Sequence, residues 1–271
     1  MSDATPTSAT ASNQLISWPI ALQCARERLR SGPAIAFIVL LACTGFYSSG
    51  MRSPAQIFGG SPIPSIAHLI VIGLTLLLGS GIISEEIESG HAQLVLLRPV
   101  SRAAFFGGRL AGAGLALFAA MLLPWIISCA LAIAAGDFVP AYLLALPVAF
   151  VETLAWLALI AALSSVLRGS GNSLWALIGA FLWLFARYGL AGASALANQL
   201  HRGELLQAFS SKVQLVLPFL RPQGTSELVE QQYQHAAIDF GPLLFDLVWI
   251  AAFWTLGAYL FSRRELARRR A

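Results

Sequence analysis

A shortage of charge constrains this chain more than any other feature. Only 11% of its 271 residues are Asp, Glu, Lys or Arg, against about 25% in soluble domains. A water-soluble fold of this length must cover its surface with polar groups, and here 57% of the residues are hydrophobic. Disorder is excluded on the same ground, because it requires low hydrophobicity and high charge. The class that fits is an all-α polytopic membrane protein, in which helices satisfy their own backbone polar groups inside the bilayer.

Six apolar stretches are long enough to cross, at Pro33–Ser49, Ser65–Ile83, Ala111–Ala135, Ala141–Leu167, Ser173–Leu190 and Leu243–Phe261. At about 20 residues each they take up roughly 120, which leaves loops and one further helix but no soluble domain. Pro124 and Pro147 lie inside apolar stretches, where membrane helices tolerate proline and kink. Residues 1–14 are rich in Ser, Thr and Ala and predict a disordered tail. Residues 15–271 then form a single transmembrane domain. No secretory signal is expected, since no apolar stretch follows closely on a charged start. The box Leu40-Leu41-Ala42-Cys43 lies too far along the chain to be a lipoprotein cleavage site.

Ahead of the first span, residues 15–31 predict an amphipathic helix. Trp18, Leu22, Ala25 and Leu29 share one face, while Gln23, Arg26, Glu27 and Arg30 share the other. Pro19 suits a first turn after a Ser17 cap. A basic amphipathic helix beside a span lies in the membrane interface, with Trp18 at headgroup depth.

Loop charges orient the bundle. Arg26, Arg28, Arg30, Arg98, Arg102, Arg109, Arg168, Arg263, Arg264, Arg268, Arg269 and Arg270 fall on one side, twelve in all. Arg52, Arg187, Arg202, Lys212 and Arg221 make five on the other. The positive-inside rule then places both termini in the cytoplasm of a multi-pass protein of the cytoplasmic (inner) membrane. The basic excess is an orientation signal and not a nucleic-acid footprint. The external connection at 191–242 is too long for a turn. Its first part is helix-compatible, and Val213–Leu220 is apolar around Pro218. A helical cap and a re-entrant segment are both compatible with this pattern. No internal repeat is evident, and the long segment occurs only in the second half, unlike a simple inverted-repeat carrier.

Chemistry-bearing residues are sparse. Cys24, Cys43 and Cys129 lie in separate apolar segments and offer neither a disulfide framework nor metal spacing. His68, His91, His201 and His235 are scattered, so no metal site and no catalytic residue is expected. Glu152 stands inside the fourth span, where an ionised group costs about 2.5–3.5 kcal/mol. It is a candidate for the substrate path, or a structural partner for a polar group. Asp246 enters the sixth span only shallowly. Gly108, Gly112 and Ala116 follow small-xxx-small spacing, which permits close helix contact either within the chain or at a dimer seam.

The connection at 84–109 is different. Glu85, Glu86 and Glu88 stand at the end of the second span, where a helix C-terminus repels anions unless cations approach. Arg98, Arg102 and Arg109 are the nearby cations. Between them Leu94, Val95, Leu96 and Leu97 form an apolar run in a segment that faces cytosol, and Pro99 ends any helix at about Leu97 or Arg98. A short helix with an exposed apolar side framed by charge is the pattern of a docking element.

The order Glu86-x3-Gly90-x3-Leu94-x2-Leu97-x-Pro99-x-Ser101-Arg102-x5-Gly108-Arg109-x2-Gly112 resembles the permease subunits of ABC transporters of the type-two (ABC-2) export class. In style it is similar to the permease of the nitrous-oxide-reductase maturation system. His91 stands where a small hydroxyl residue is usual, and Arg109 where Lys is common. The resemblance implies a permease that moves substrate while a cytosolic ATP-binding-cassette ATPase, carrying the ATP and Mg, does the hydrolysis. It also implies a second permease chain, as a homodimer in the lipid bilayer, and a coupling helix between spans two and three. Glu86, Gly90, Leu94, Leu97, Pro99 and Arg102 would be the ATPase-coupling residues. The residues agree on one point independently: a Walker A loop needs Gly-x4-Gly-Lys-Ser/Thr, and Lys212, the only lysine, is followed by Val213. This chain therefore binds no ATP through such a loop, and no cofactor of its own is expected. The alternatives are an intramembrane enzyme or membrane-assembly factor built on Glu152 and a histidine, and an ion-coupled secondary carrier. Neither has a reason to expose Leu94–Leu97. The substrate is not readable from the sequence.

Overall fold

The computed structural model describes residues 15–48, 66–97, 100–167 and 240–264. All regular structure among them is helical. In chain order the helices are α1 (Trp18–Arg30), α2 (Gly32–Ser48), α3 (Ile66–Gly79), α4 (Ser84–Glu88), α5 (His91–Leu96), α6 (Arg102–Ala135), α7 (Ala141–Ser164) and α8 (Gly241–Arg263). Four described stretches are long and apolar enough to cross a membrane: Ile70–Glu88, Arg102–Ala135, Ala141–Ser164 and Leu243–Arg263, with Gly32–Cys43 a shorter apolar helix. Helices therefore stand at five of the six expected spans. The fifth expected span, Ser173–Leu190, and the segment at 191–242 lie largely or wholly outside the described residues, as does the tail at 1–14.

Helix α6 is the axis of the bundle and touches α1, α2, α3, α7 and α8. Its 34 residues extend about 51 Å at 1.5 Å per residue, well beyond the roughly 30 Å of hydrocarbon. It opens at Arg102, where the Ser101 hydroxyl accepts the Ala104 N–H at 3.0 Å. The sequence pattern had suggested Ala111. The difference arises because Phe105, Phe106 and Leu110 are buried and Arg109 is neutralised by carboxylates, so the helix packs well before its uninterrupted apolar run begins. The connection expected over 84–109 thus ends at Ser101. Pro124 and Pro147 are both accommodated inside continuous helices.

Helix α1 lies along the first turns of α6, and small residues set the distance. A Cβ on Gly108 would stand 2.9 Å from the Ser17 carbonyl oxygen, and one on Gly112 would stand 2.6 Å from Cys24 Cβ and closer still to the Ala21 carbonyl. Ala21, Cys24 and Ala25 are the buried residues of α1. The Gly108–Gly112 stripe is thus consumed by packing within the chain and leaves no room for a dimer seam there. The face of α1 turned to protein is made of these small residues. Trp18 and Leu22, from the face expected on apolarity alone, are 59% and 57% exposed. Ser17 takes the N-cap position without a side-chain hydrogen bond, and proline occupies the first turn.

On the other flank of α6, the Phe106 ring fills the space left by Gly257 of α8, and Phe105 stacks on Phe261 with centroids 5.6 Å apart. Polar side chains tie the helix ends together at the same level. The Ser164 hydroxyl of α7 accepts the Ile83 and Ser84 N–H groups at 3.1 and 3.2 Å. Arg264 donates to the Ser165 carbonyl at 2.6 Å. These bonds satisfy backbone groups that helix termini leave without partners.

A buried arginine holds the candidate functional site

Helix α3 does not run on to the carboxylates. The chain turns at Ser80–Ile83 and restarts as α4, which places Glu85 and Glu86 in a first turn. Anions are favoured there and disfavoured at a helix end, so for Glu85 and Glu86 the cost anticipated at the end of the second span is removed by the break, while Glu88 closes α4. Gly90 then separates α4 from α5 with φ 75°, a left-handed conformation that residues with a Cβ rarely adopt. This glycine lets the second of two very short helices start directly after the first.

Arg109 organises the surroundings. Its side chain is 5% exposed, and each part of the guanidinium has an acceptor. Nη2 meets Glu86 at 2.7 Å, Nη1 meets Glu27 at 3.1 Å and Nε donates to the Ile82 carbonyl at 3.3 Å. Glu86, itself 12% exposed at the side chain, uses its second oxygen on His91 Nδ1 at 2.7 Å. Glu27 accepts from the Gln23 amide at 3.0 Å. Burial, the strongest single influence on Glu27, pushes its carboxyl up. The hydrogen bonds from Gln23 and Arg109, with the charges of Arg109 and His91, outweigh it and hold Glu27 below the usual carboxylate range. Beside this cluster Arg28 bonds both Glu85 at 3.1 Å and the Ser80 carbonyl at 3.1 Å. The network therefore joins α1, the α3–α4 turn, α4, α5 and α6. A buried charge is stable only when it is paired and hydrogen-bonded, and three acceptors on three elements meet that demand.

The six residues marked in the sequence separate into distinct roles. Leu94 and Leu97 are exposed at the tip, by 65% and 83%. Gly90 makes the turn. Glu86 points inward to Arg109. Arg102 also points inward, donating to the carbonyls of Ser262 at 2.7 Å and Arg264 at 3.0 Å at the end of α8. Pro99 lies outside the described residues, as does Arg98. The expected approach of arginines to the carboxylates holds for Arg109 and Glu86. The partner of Glu85 is Arg28, far away in sequence, and Arg102 serves α8. The sequence pattern alone does not mark Glu27, Arg28 and His91 for a role at this site. Their signal lay in the i and i+5 spacing of Glu86 and His91 and in the polar face of α1. Ala92, between the two exposed leucines and Gly90, is fully buried, and Val95 and Leu96 pack on the core. Helix α5 is thus pinned by one side and bare on the other. Glu152 is half-buried midway along α7, and Asp246, in the second turn of α8, is fully buried. Among the described residues no cluster of His, Cys, Asp and Glu is arranged to hold a metal.

The family model described as ABC-2 family transporter protein matches residues 8–266. No curated protein gives a significant match. The match takes in almost the whole chain, and the chain belongs to this family: it is a membrane-embedded permease of an ABC transporter, from a family that generally supplies a non-catalytic transport subunit and works with an ATP-binding cassette ATPase.

Proposed function

We propose that this permease is the transmembrane half of an exporter whose ATPase docks on α5. The observation that carries the reading is the pairing of two large exposed leucines, Leu94 and Leu97, with a helix immobilised on its other side by Ala92, Glu86 and Arg109. Bare leucine surface in water is unfavourable by about 1.5–3 kcal/mol per side chain relative to burial. A helix held rigidly in that state is prepared for a partner and loses little freedom on binding it. A push on α5 would then pass through the Glu86–Arg109–Glu27 chain into α6 and α1.

In this reading both termini and the charged end of the bundle face the cytoplasm of the inner membrane, as the twelve-to-five distribution of basic residues supports. Two copies of the chain pair side by side over two ATPases, which bind the ATP and Mg. Glu152 is the candidate residue of the substrate path. On motif style the reading places the chain near the nitrous-oxide-reductase maturation permease as a proposal of subgroup. The decisive experiment is co-purification of the ATPase subunit with wild-type and Leu94→Ala/Leu97→Ala permease, followed by substrate-stimulated hydrolysis. The reading expects both to be lost from the variant while the permease stays folded in the membrane. Retention of both would return the loop to the status of a solvated connector. Reporter fusions at the C-terminus and within 203–230 test the orientation, and same-side signals would overturn it.

A further inference from the structure

Two arginines of α1 have no work inside the protein. Arg28 is engaged by Glu85 and Ser80, Arg109 by Glu27, Glu86 and Ile82, Arg102 and Arg264 by helix-end carbonyls, and Arg263 by the Tyr259 ring at 5.2 Å. Among the described arginines, only Arg26 and Arg30 make no hydrogen bond, ion pair or ring contact. They stand four residues apart on one exposed face and, with Pro19, Leu22, Gln23 and Glu27, line an open groove of about 480 Å³. The one carboxylate on the groove, Glu27, is already turned to Gln23 and Arg109, so the groove is basic.

We propose that this groove binds the headgroup of an anionic phospholipid in the leaflet at the charged end of the bundle. Residues at i and i+4 on a helix stand about 5–6 Å apart at Cβ, close enough for two guanidinium groups to grip one phosphate, which arginine engages bidentately. The apolar neighbours fit the acyl region below it: Leu22 lines the groove, and Trp18 is exposed one turn earlier on the same helix. Only Ser31 separates α1 from the apolar helix α2, so the groove stands where an apolar segment begins, the position that suits a headgroup. A protein partner would have to displace lipid from Trp18 and Leu22. A lipid satisfies the arginines and the apolar surface together.

The full-length permease is purified in mild detergent, and binding of phosphatidylglycerol and phosphatidylcholine is measured by native mass spectrometry for wild type and Arg26→Gln/Arg30→Gln. Each arginine near a membrane surface contributes about 1 kcal/mol toward anionic lipid, so the variant should lose roughly thirtyfold in affinity for phosphatidylglycerol with phosphatidylcholine unchanged. The wild type alone supplies a second readout, since raising ionic strength should weaken phosphatidylglycerol binding selectively. Equal affinity of wild type and variant for phosphatidylglycerol would overturn the proposal. So would displacement of bound phosphatidylglycerol by millimolar inorganic phosphate, which would make the groove a small-anion site. Loss of ATPase co-purification from the variant with lipid affinity intact would overturn it too, by assigning the groove to the ATPase.

Discussion

Helices α4 and α5 are adjacent, similarly short and joined by Ser89 and Gly90, yet they solve opposite problems. The charged residue of α4, Glu86, is turned into the protein and paired with the buried Arg109. The large apolar residues Leu94 and Leu97, in and just beyond α5, are turned out and bare. In a soluble domain the arrangement would be the reverse, because charge prefers water and leucine avoids it. The inversion teaches which part holds and which part reaches. An ion pair fixes geometry in a way that apolar contact does not, since Arg109 must meet three acceptors at once. In the proposed reading the apolar tip supplies what α4 lacks, non-directional adhesion to the ATPase surface.

The comparison breaks most sharply at the tip. Replacing both Leu94 and Leu97 by Ala removes about 3–6 kcal/mol of burial from any docked complex, a loss of roughly a hundredfold to ten-thousandfold in ATPase affinity. The melting temperature of the isolated permease should stay at the wild-type value, because neither side chain is buried there. Thermal unfolding in detergent beside a binding titration checks both halves. A destabilised permease would mean that the leucines belong to the fold after all.

Arg109→Ala should show the converse. Removing one member of a buried ion pair leaves Glu86 with only His91 beside it, and breaking such a pair costs about 3–5 kcal/mol. The loss should appear as lower thermal stability of the permease even without ATPase. Arg109→Lys should rescue only part of it, because an ammonium cannot reproduce the guanidinium's fixed fork toward Glu86, Glu27 and Ile82. An unchanged melting curve for Arg109→Ala would remove the distinction between the part that holds and the part that reaches.

The exposed leucines were legible in the sequence and the buried pairings largely were not. Four consecutive apolar residues between charges, ended by Pro99, announce a short helix with an exposed apolar side, and only the fold shows that Leu94 and Leu97 are bare while Val95 and Leu96 pack on the core. The polytopic helical membrane class was equally open, since apolar length is a local quantity. Pairings were hidden because they span the chain: Arg109 with Glu27, Arg28 with Glu85, Arg102 with the end of α8. The packed face of α1 was hidden for another reason. Beside a bilayer, apolarity no longer distinguishes protein from solvent, so Trp18 and Leu22 mark lipid and the small residues Ala21 and Cys24 mark the contact. The Gly108–Gly112 spacing held that information, but only its partner in α1 could complete it.

Arg102 sharpens the comparison at a smaller scale, because on sequence it belonged with the docking charges and in the structure it belongs with the holding ones. Its two bonds to α8 carbonyls are charge-assisted, and such bonds contribute about 1.5–3 kcal/mol. Arg102→Ala should therefore lower permease stability by less than Arg109→Ala and loosen the last turn of α8, raising amide exchange near Tyr259–Ser262. If ATPase affinity falls while exchange and stability stay fixed, Arg102 has been placed on the wrong side of the division.

The smallest effect expected is a pH dependence from Glu27. Its carboxyl is held below the ordinary range by Gln23 and Arg109 against the opposing effect of burial, so folding favours the ionised form. A depressed folded value means that the contribution to stability is fully present above the unfolded glutamate pKa of about 4.3. It is lost as pH falls through the lower, folded value. Glu27→Gln removes the charge and keeps an acceptor for Arg109. The variant should melt slightly below wild type at neutral pH, and the gap should close as the solution is acidified below the ordinary carboxylate range. The effect is modest because the Glu27 side chain is 46% exposed and water screens the pair. Melting curves of the two proteins across acidic to neutral pH supply the check. A gap that widened on acidification would mean that folding favours protonated Glu27, and would place it outside the Arg109 network.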